Sequence, residues 1–186
     1  PKGVEPVDII GREGRIRGNR IELSMNQLYG DQEKYALVEV KLPESRAGSR
    51  IKIAQADVEY ENPFSRKLER SQGISYASFS KDKAVVEKSS NIDVIREYQL
   101  NLNALIQEKA IKLSDEGKSP EAAVKLKESA AKLETLGRIY KDDTLLKEAE
   151  AVSDQAQEIE EKGMSKKSRK ILRTKSYQLK NQQMSQ

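Results

Sequence analysis

The stretch NIDVIREYQLNLNALIQEKAIKLSDEG, residues 91–117, decides how the chain is read. Its apolar residues Ile92, Ile95, Tyr98, Leu102, Leu105, Ile106 and Leu113 recur every three or four positions, which lays a stripe along one side of a helix several turns long. Such a stripe needs a partner. Ser90 and Asn91 are natural N-caps, Asp93 suits the positive end of the helix dipole, and Gly117 is a stop. Residues before this helix read as β-sheet, and residues after it read as more helix.

Upstream, Val4, Val7, Ile9 and Ile10 offer a strand ended by Gly11, and Arg15-Ile16-Arg17 and Arg20-Ile21-Glu22-Leu23 flank the turn dipeptide Gly18-Asn19. A turn is expected at Leu28-Tyr29-Gly30-Asp31. Residues 34–42 then alternate, with Ala36, Val38, Val40 and Leu42 on one face. In the longest strand, residues 50–60, the apolar parity changes: Ile51 and Ile53 share one face, whereas Ala54, Ala56, Val58 and Tyr60 share the other. A β-bulge near Ala54 reconciles the halves, because one extra residue flips every later side chain. Asn62-Pro63 ends that strand. A return strand over residues 73–80 and a last short strand at Ala84-Val85-Val86 complete a set that predicts an antiparallel sandwich.

Downstream, Gly117-Lys118-Ser119-Pro120-Glu121 joins two helices, with Ser119 as expected N-cap and Pro120 in the first turn. Ala122, Ala123, Leu126, Ala130, Leu133 and Leu136 give the second helix a stripe of small and medium residues suited to close antiparallel packing. Asp142 and Asp143 start a third helix whose Leu145, Ala149, Val152, Ala156 and Ile159 keep coiled-coil spacing to Gly163. The fold class is therefore α+β: an antiparallel β-sandwich over residues 1–89, a three-helix antiparallel hairpin or bundle over 90–163, and a basic helix with a frayed end over 164–186.

Composition narrows the chemistry. The 186 residues include no histidine and no cysteine, which removes the commonest general base, metal ligand and thiol nucleophile. No apolar run approaches the roughly 20 residues that span a bilayer. The start at Pro1, without Met, suggests a fragment of a longer protein. Net charge is +4, yet Lys166, Lys167, Arg169, Lys170, Arg173, Lys175 and Lys180 alone contribute +7, so the excess lies at the end. These side chains, of which Lys166, Lys167, Arg169, Lys170, Arg173 and Lys175 are the candidate contacts, suit an anionic surface. They suit better a solvated helix face docking on the acidic third helix through Glu148, Glu150, Glu158, Glu160 and Glu161. No base-stacking platform accompanies them, which argues against specific nucleic-acid recognition.

Two further patterns are weaker. Gly117, Ala122 and Leu126 have the spacing of a tetratricopeptide turn, but one copy builds no array, and a packed hairpin explains it. Asp142-Asp143 and Glu160-Glu161 are the densest carboxylate pairs; both suit helix ends or solvated faces better than acid–base catalysis. No calcium loop of the Asp-x-Asn/Asp-x-Asn/Asp-Gly type occurs. Neither catalytic residue, metal nor cofactor is expected.

Residues 4–42, with Val7-Asp8-Ile9-Ile10-Gly11, the Leu28–Gln32 turn and Leu37-Val38-Glu39-Val40-Lys41-Leu42-Pro43, resemble the region after the von Willebrand factor A domain in bacterial proteins of the inter-alpha-trypsin-inhibitor-like and calcium-activated-chloride-channel-like kind. Residues 110–123 resemble the helical hairpin that closes such chains, and Ser168-Arg169-Lys170 through Tyr177 to Gln182-Gln183 resembles their basic ending. The resemblance implies an upstream A domain in cis and a cell-envelope or periplasmic setting. That domain's Asp-x-Ser-x-Ser metal motif is absent here. The expected function is a non-catalytic accessory module that binds a protein partner through its helical arm; the alternative is binding of a polyanion or membrane surface through the basic segment.

Overall fold

The computed structural model describes residues 1–25 and 33–181. Among these described residues, six strands come first: β1 (Glu5–Ile10), β2 (Arg15–Arg17), β3 (Arg20–Glu22), β4 (Leu37–Lys41), β5 (Arg50–Asn62) and β6 (Lys67–Ser78). Five helices complete the chain: α1 (Lys83–Lys88), α2 (Ile92–Asp115), α3 (Ser119–Tyr140), α4 (Asp143–Lys162) and α5 (Lys166–Asn181). The chain is thus mixed, with short sheets before helices. It divides into two compact units, one holding residues 1–8, 14–23 and 38–90, the other holding residues 9–13 and the described residues of 24–37 and 91–186.

In the first unit, β2 and β3 pair antiparallel with Ile16 opposite Ile21, and Gly18 turns between them at φ +56°. β5 and β6 form a long antiparallel hairpin whose register shifts between Lys52 and Ala54, leaving Ile53 as the extra residue. This is the bulge that the change in parity requires. It brings Ile51, Ala54, Ala56, Val58 and Tyr60 onto one face, opposite Ala77, Ser75, Gly73, Ser71 and Glu69. The Asn62 side chain accepts from the backbone N–H groups of Phe64 and Ser65 at 2.9 and 3.3 Å, which shapes the turn after Asn62-Pro63.

Two expectations fail in this unit. β6 begins at Lys67 rather than residue 73, because polar cross-strand pairs stabilise its first half: Arg70 with Glu59 at 2.8 Å and Glu69 with Tyr60 at 2.9 Å. Apolar alternation cannot register such pairs. Residues 84–86 are helix, not strand. The Asp82 carboxylate accepts from the N–H groups of Ala84 and Val85, and Lys83 pairs with Glu87 one turn on. The cap overrides the β-preference of Val85 and Val86, both of which stay exposed.

β1 and β4 pair as a third two-stranded ladder. β4 begins at Leu37 instead of residue 34, and Leu42 lies beyond it, exposed. The reason is Tyr35, whose hydroxyl donates to Glu97 of α2 and accepts from Asn101 at 3.3 Å, holding the preceding residues to the helix. Gly11 at φ +71° also meets Asn101, with whose side chain a Cβ there would collide. The expected turn at Leu28–Asp31 and the fraying after Gln182 lie outside the described residues.

In the second unit, α2 to α5 share one apolar core. Asn91 caps α2 by accepting from Asp93 and Val94, Gly117 at φ +78° turns the chain, and Gly163 at φ +71° ends α4. Lys118 rather than Ser119 stands at the cap position of α3; Ser119 sits one residue inside, its hydroxyl 3.2 Å from that of Ser114. All five stripe residues of α4 and all but Leu136 of the α3 stripe are buried, and Leu136 is partly so. Each fully buried leucine contributes roughly 1.5–3 kcal/mol. Gly137 lets α3 and α4 approach closely, since a Cβ there would lie 2.8 Å from Leu146.

The α2 stripe is misplaced in the sequence reading. The face that is buried carries Leu100, Asn103, Ala104, Gln107, Ala110 and Ile111, about a third of a turn away from the apolar stripe, which is only half-buried. Polarity at Asn103 and Gln107 hides this face from any apolar pattern.

Candidate functional site: the basic helix and the polar seam beneath it

Asn103 and Gln107 are buried because three neighbouring helices satisfy them. The Asn103 amide oxygen accepts from Ser129 of α3 at 2.8 Å, and its nitrogen donates to Glu148 of α4 at 3.0 Å. Gln107 donates to the same carboxylate oxygen at 3.4 Å. From α5, Lys175 reaches the other oxygen of Glu148 at 3.2 Å, and the Ser176 hydroxyl lies 3.2 Å from the Ala104 carbonyl and 3.4 Å from Gln107. A polar seam therefore runs through the middle of an otherwise apolar core, with every member partnered, the condition under which buried polarity is tolerated.

The seam fixes how α5 lies. Leu172 is fully buried, Leu179 packs on the core, and Ser168 bonds Glu158 at 3.1 Å. Of the six candidate residues, two turn inward: Arg169 pairs with Asp115 of α2, and Lys175 with Glu148. Lys180 likewise pairs with Glu108 at 3.1 Å. Docking thus draws on acidic residues of α2 as well as α4; Glu160 instead binds Lys127 of α3, and Glu161 accepts from Gln157. Lys166, Lys167, Lys170 and Arg173 remain exposed, with no ion pair among the described residues.

Met164, Lys166, Arg169, Lys170, Arg173 and Thr174 line an open concavity of about 430 Å³. All six belong to one helix and the short segment leading into it, so the space lies between flexible side-chain stems. It differs from a pre-formed cleft, which needs walls from several elements.

The carboxylate pairs are placed as helix-end and surface groups. Asp142 caps α4 by accepting from Leu145 N–H at 2.9 Å, and Arg96 of α2 directs Nε and Nη2 at its other oxygen, both at 2.6 Å. Burial pushes this carboxyl up, but Arg96 and the backbone donors outweigh it and hold the group below the usual carboxylate range. Asp143 is exposed. Among the described residues, no three or more Asp or Glu side chains converge as a metal site would require. The sequence reading missed the seam; its one available signal was the i, i+4 pair Asn103 and Gln107 within an amphipathic run.

Neither a family model, nor a curated protein, nor a solved structure matches the chain.

Proposed function

We propose that the chain is a non-catalytic accessory module for protein–protein association, and that its contact surface is one face of the β5–β6 hairpin. One observation carries this reading. A two-sided antiparallel ladder ordinarily buries its apolar face and solvates its polar one. Here the more polar face is internally tied, with Lys52, Gln55, Asp57 and Gln72 in one hydrogen-bonded row, Glu59 on Arg70, and Arg50 stacked 4.3 Å over Tyr76, around the exposed Leu68 and Ile74. The opposite face, with Ala54, Ala56, Val58, Tyr60 and Gly73, is exposed.

A second layer supplied by a partner would complete an antiparallel sandwich over that face. The family resemblance nominates an upstream A domain of the same polypeptide as the layer. The helical arm is a weaker candidate, because the bundle of α2 to α5 spends its apolar stripes on its own core. Non-catalytic character is supported by Asp142, Glu160 and Glu148, which are tied to Arg96, Lys127 and Lys175.

The test is co-purification of the A domain with this chain and with Ala56→Asp/Val58→Asp. Both side chains are exposed and lie opposite Gly73 and Ser71, so the fold tolerates the change. At least tenfold weaker capture is expected; equal capture by the two proteins refutes the reading.

A further inference from the structure

We propose that the outward face of α5 docks on the anionic headgroups of a lipid bilayer, with the helix lying along the surface. Lys166, Lys170, Arg173 and Tyr177 succeed one another at steps of four, three and four, which places them within about 60° of one another along about 16 Å of helix. Lys167 flanks this row. Folding has sorted the cations of the segment into an inner set neutralised by Asp115, Glu148 and Glu108, and this outer set without counter-charges among the described residues.

The outer set is unfavourable to the helix that carries it. Lys166 and Lys167 occupy the first turn, where the dipole is positive and where no acidic residue stands. Lys166 and Lys170 add an i, i+4 like-charge pair. A plane of negative charge relieves both strains at once. A bilayer suits the face better than nucleic acid does: Tyr177 is the lone aromatic of α5, too few for stacking successive bases, whereas a single exposed Tyr is the amphipathic type that settles at headgroup depth. No described helix is long and apolar enough to cross a membrane, so the contact is peripheral. This docking is independent of association through β5–β6.

Sedimentation of the whole chain with vesicles tests it. Phosphatidylcholine vesicles containing phosphatidylserine are expected to bind the chain, and pure phosphatidylcholine vesicles are not. At about fivefold per cation, Lys166→Ser/Lys167→Ser/Lys170→Ser/Arg173→Ser is expected to lower partitioning roughly six-hundredfold. Lys88→Ser/Lys109→Ser/Lys132→Ser/Lys147→Ser removes the same charge elsewhere and is expected to retain most of the binding. Equal loss in the two variants overturns the proposal, as does equal binding to the uncharged vesicles. The unaltered chain gives a variant-free measure: binding should fall steeply as salt rises, and a flat response overturns the idea. Release from the vesicles by millimolar inorganic phosphate, or preference for a single-stranded oligonucleotide in competition, would assign the face to another phosphate source and also overturn it.

Discussion

Glu148 is the position at which the polar seam is most exposed to challenge. Its side chain is 16% accessible, and it accepts from Asn103 and Gln107, which are 1% and 0% accessible. Glu148→Ala strands two buried amide donors at about 1–3 kcal/mol each, with the 3.4 Å Gln107 bond at the low end. Loss of the pair with the partly exposed Lys175 adds less than about 1 kcal/mol. The total is roughly 2–4 kcal/mol. Glu148→Gln keeps an acceptor for both amides and loses only the charge, so its cost is about 1 kcal/mol. With a urea dependence of roughly 2 kcal/mol per molar, the alanine variant should unfold at a midpoint about 1–2 M lower, monitored by helix circular dichroism. A midpoint within about 0.25 M of the parent would mean that Glu148 is merely a solvated helix-face residue. Equal damage from Gln and Ala would show charge, not hydrogen bonding, to be what matters, and would refute the reasoning.

Acid should act through Asp142. Its folded-state pKa is depressed, so its contribution is present above the unfolded value near 4 and is lost as pH falls through the folded one; urea midpoints should drop below about pH 4, and Asp142→Asn should flatten that drop. Gly137→Ala should destabilise by about 1–2 kcal/mol despite a helix-propensity gain of about 1, because Leu146 and its backbone nitrogen stand 2.8 and 3.1 Å from the new Cβ. Gly73→Ala, with open space around it, should leave stability unchanged or raise it by up to about 1 kcal/mol in the same assay. Replacing Asn103, Gln107, Ser129, Glu148 and Ser176 together by apolar residues should preserve helix content while hydrogen exchange in α5 quickens; unchanged protection of α5 would deny the seam a role in placing it.

Where side chains report their own burial, the sequence could be read. Leu145, Ala149, Val152, Ala156 and Ile159 are apolar at regular intervals and are all buried; the parity change between Ile53 and Ala54 can be met only by a bulge. Reading failed where a polar group decided the local structure. Asp82 caps a helix over two valines, Tyr35 ties its segment to Glu97 and Asn101, and Glu59 and Tyr60 draw residues 67–71 into β6. In each case the partner is distant or the apolar pattern points the other way. The basic residues were legible as a cluster, but which of them turn inward depends on Asp115, Glu148 and Glu108, up to 72 positions away.

The seam and the cationic face are linked by geometry. Asn103 and Gln107 are both satisfied only where Ser129, Glu148 and Ser176 arrive together, and sliding α5 by one turn would carry Ser176 about 5.4 Å from its partners. An all-apolar interface would tolerate that slip at far lower cost, because dispersion contacts are non-directional. Buried amides therefore give α5 one rotation, and that rotation sends Arg169 and Lys175 to carboxylates while Lys166, Lys170 and Arg173 face outward. Polarity at the centre of the core thus orients the charges at its surface.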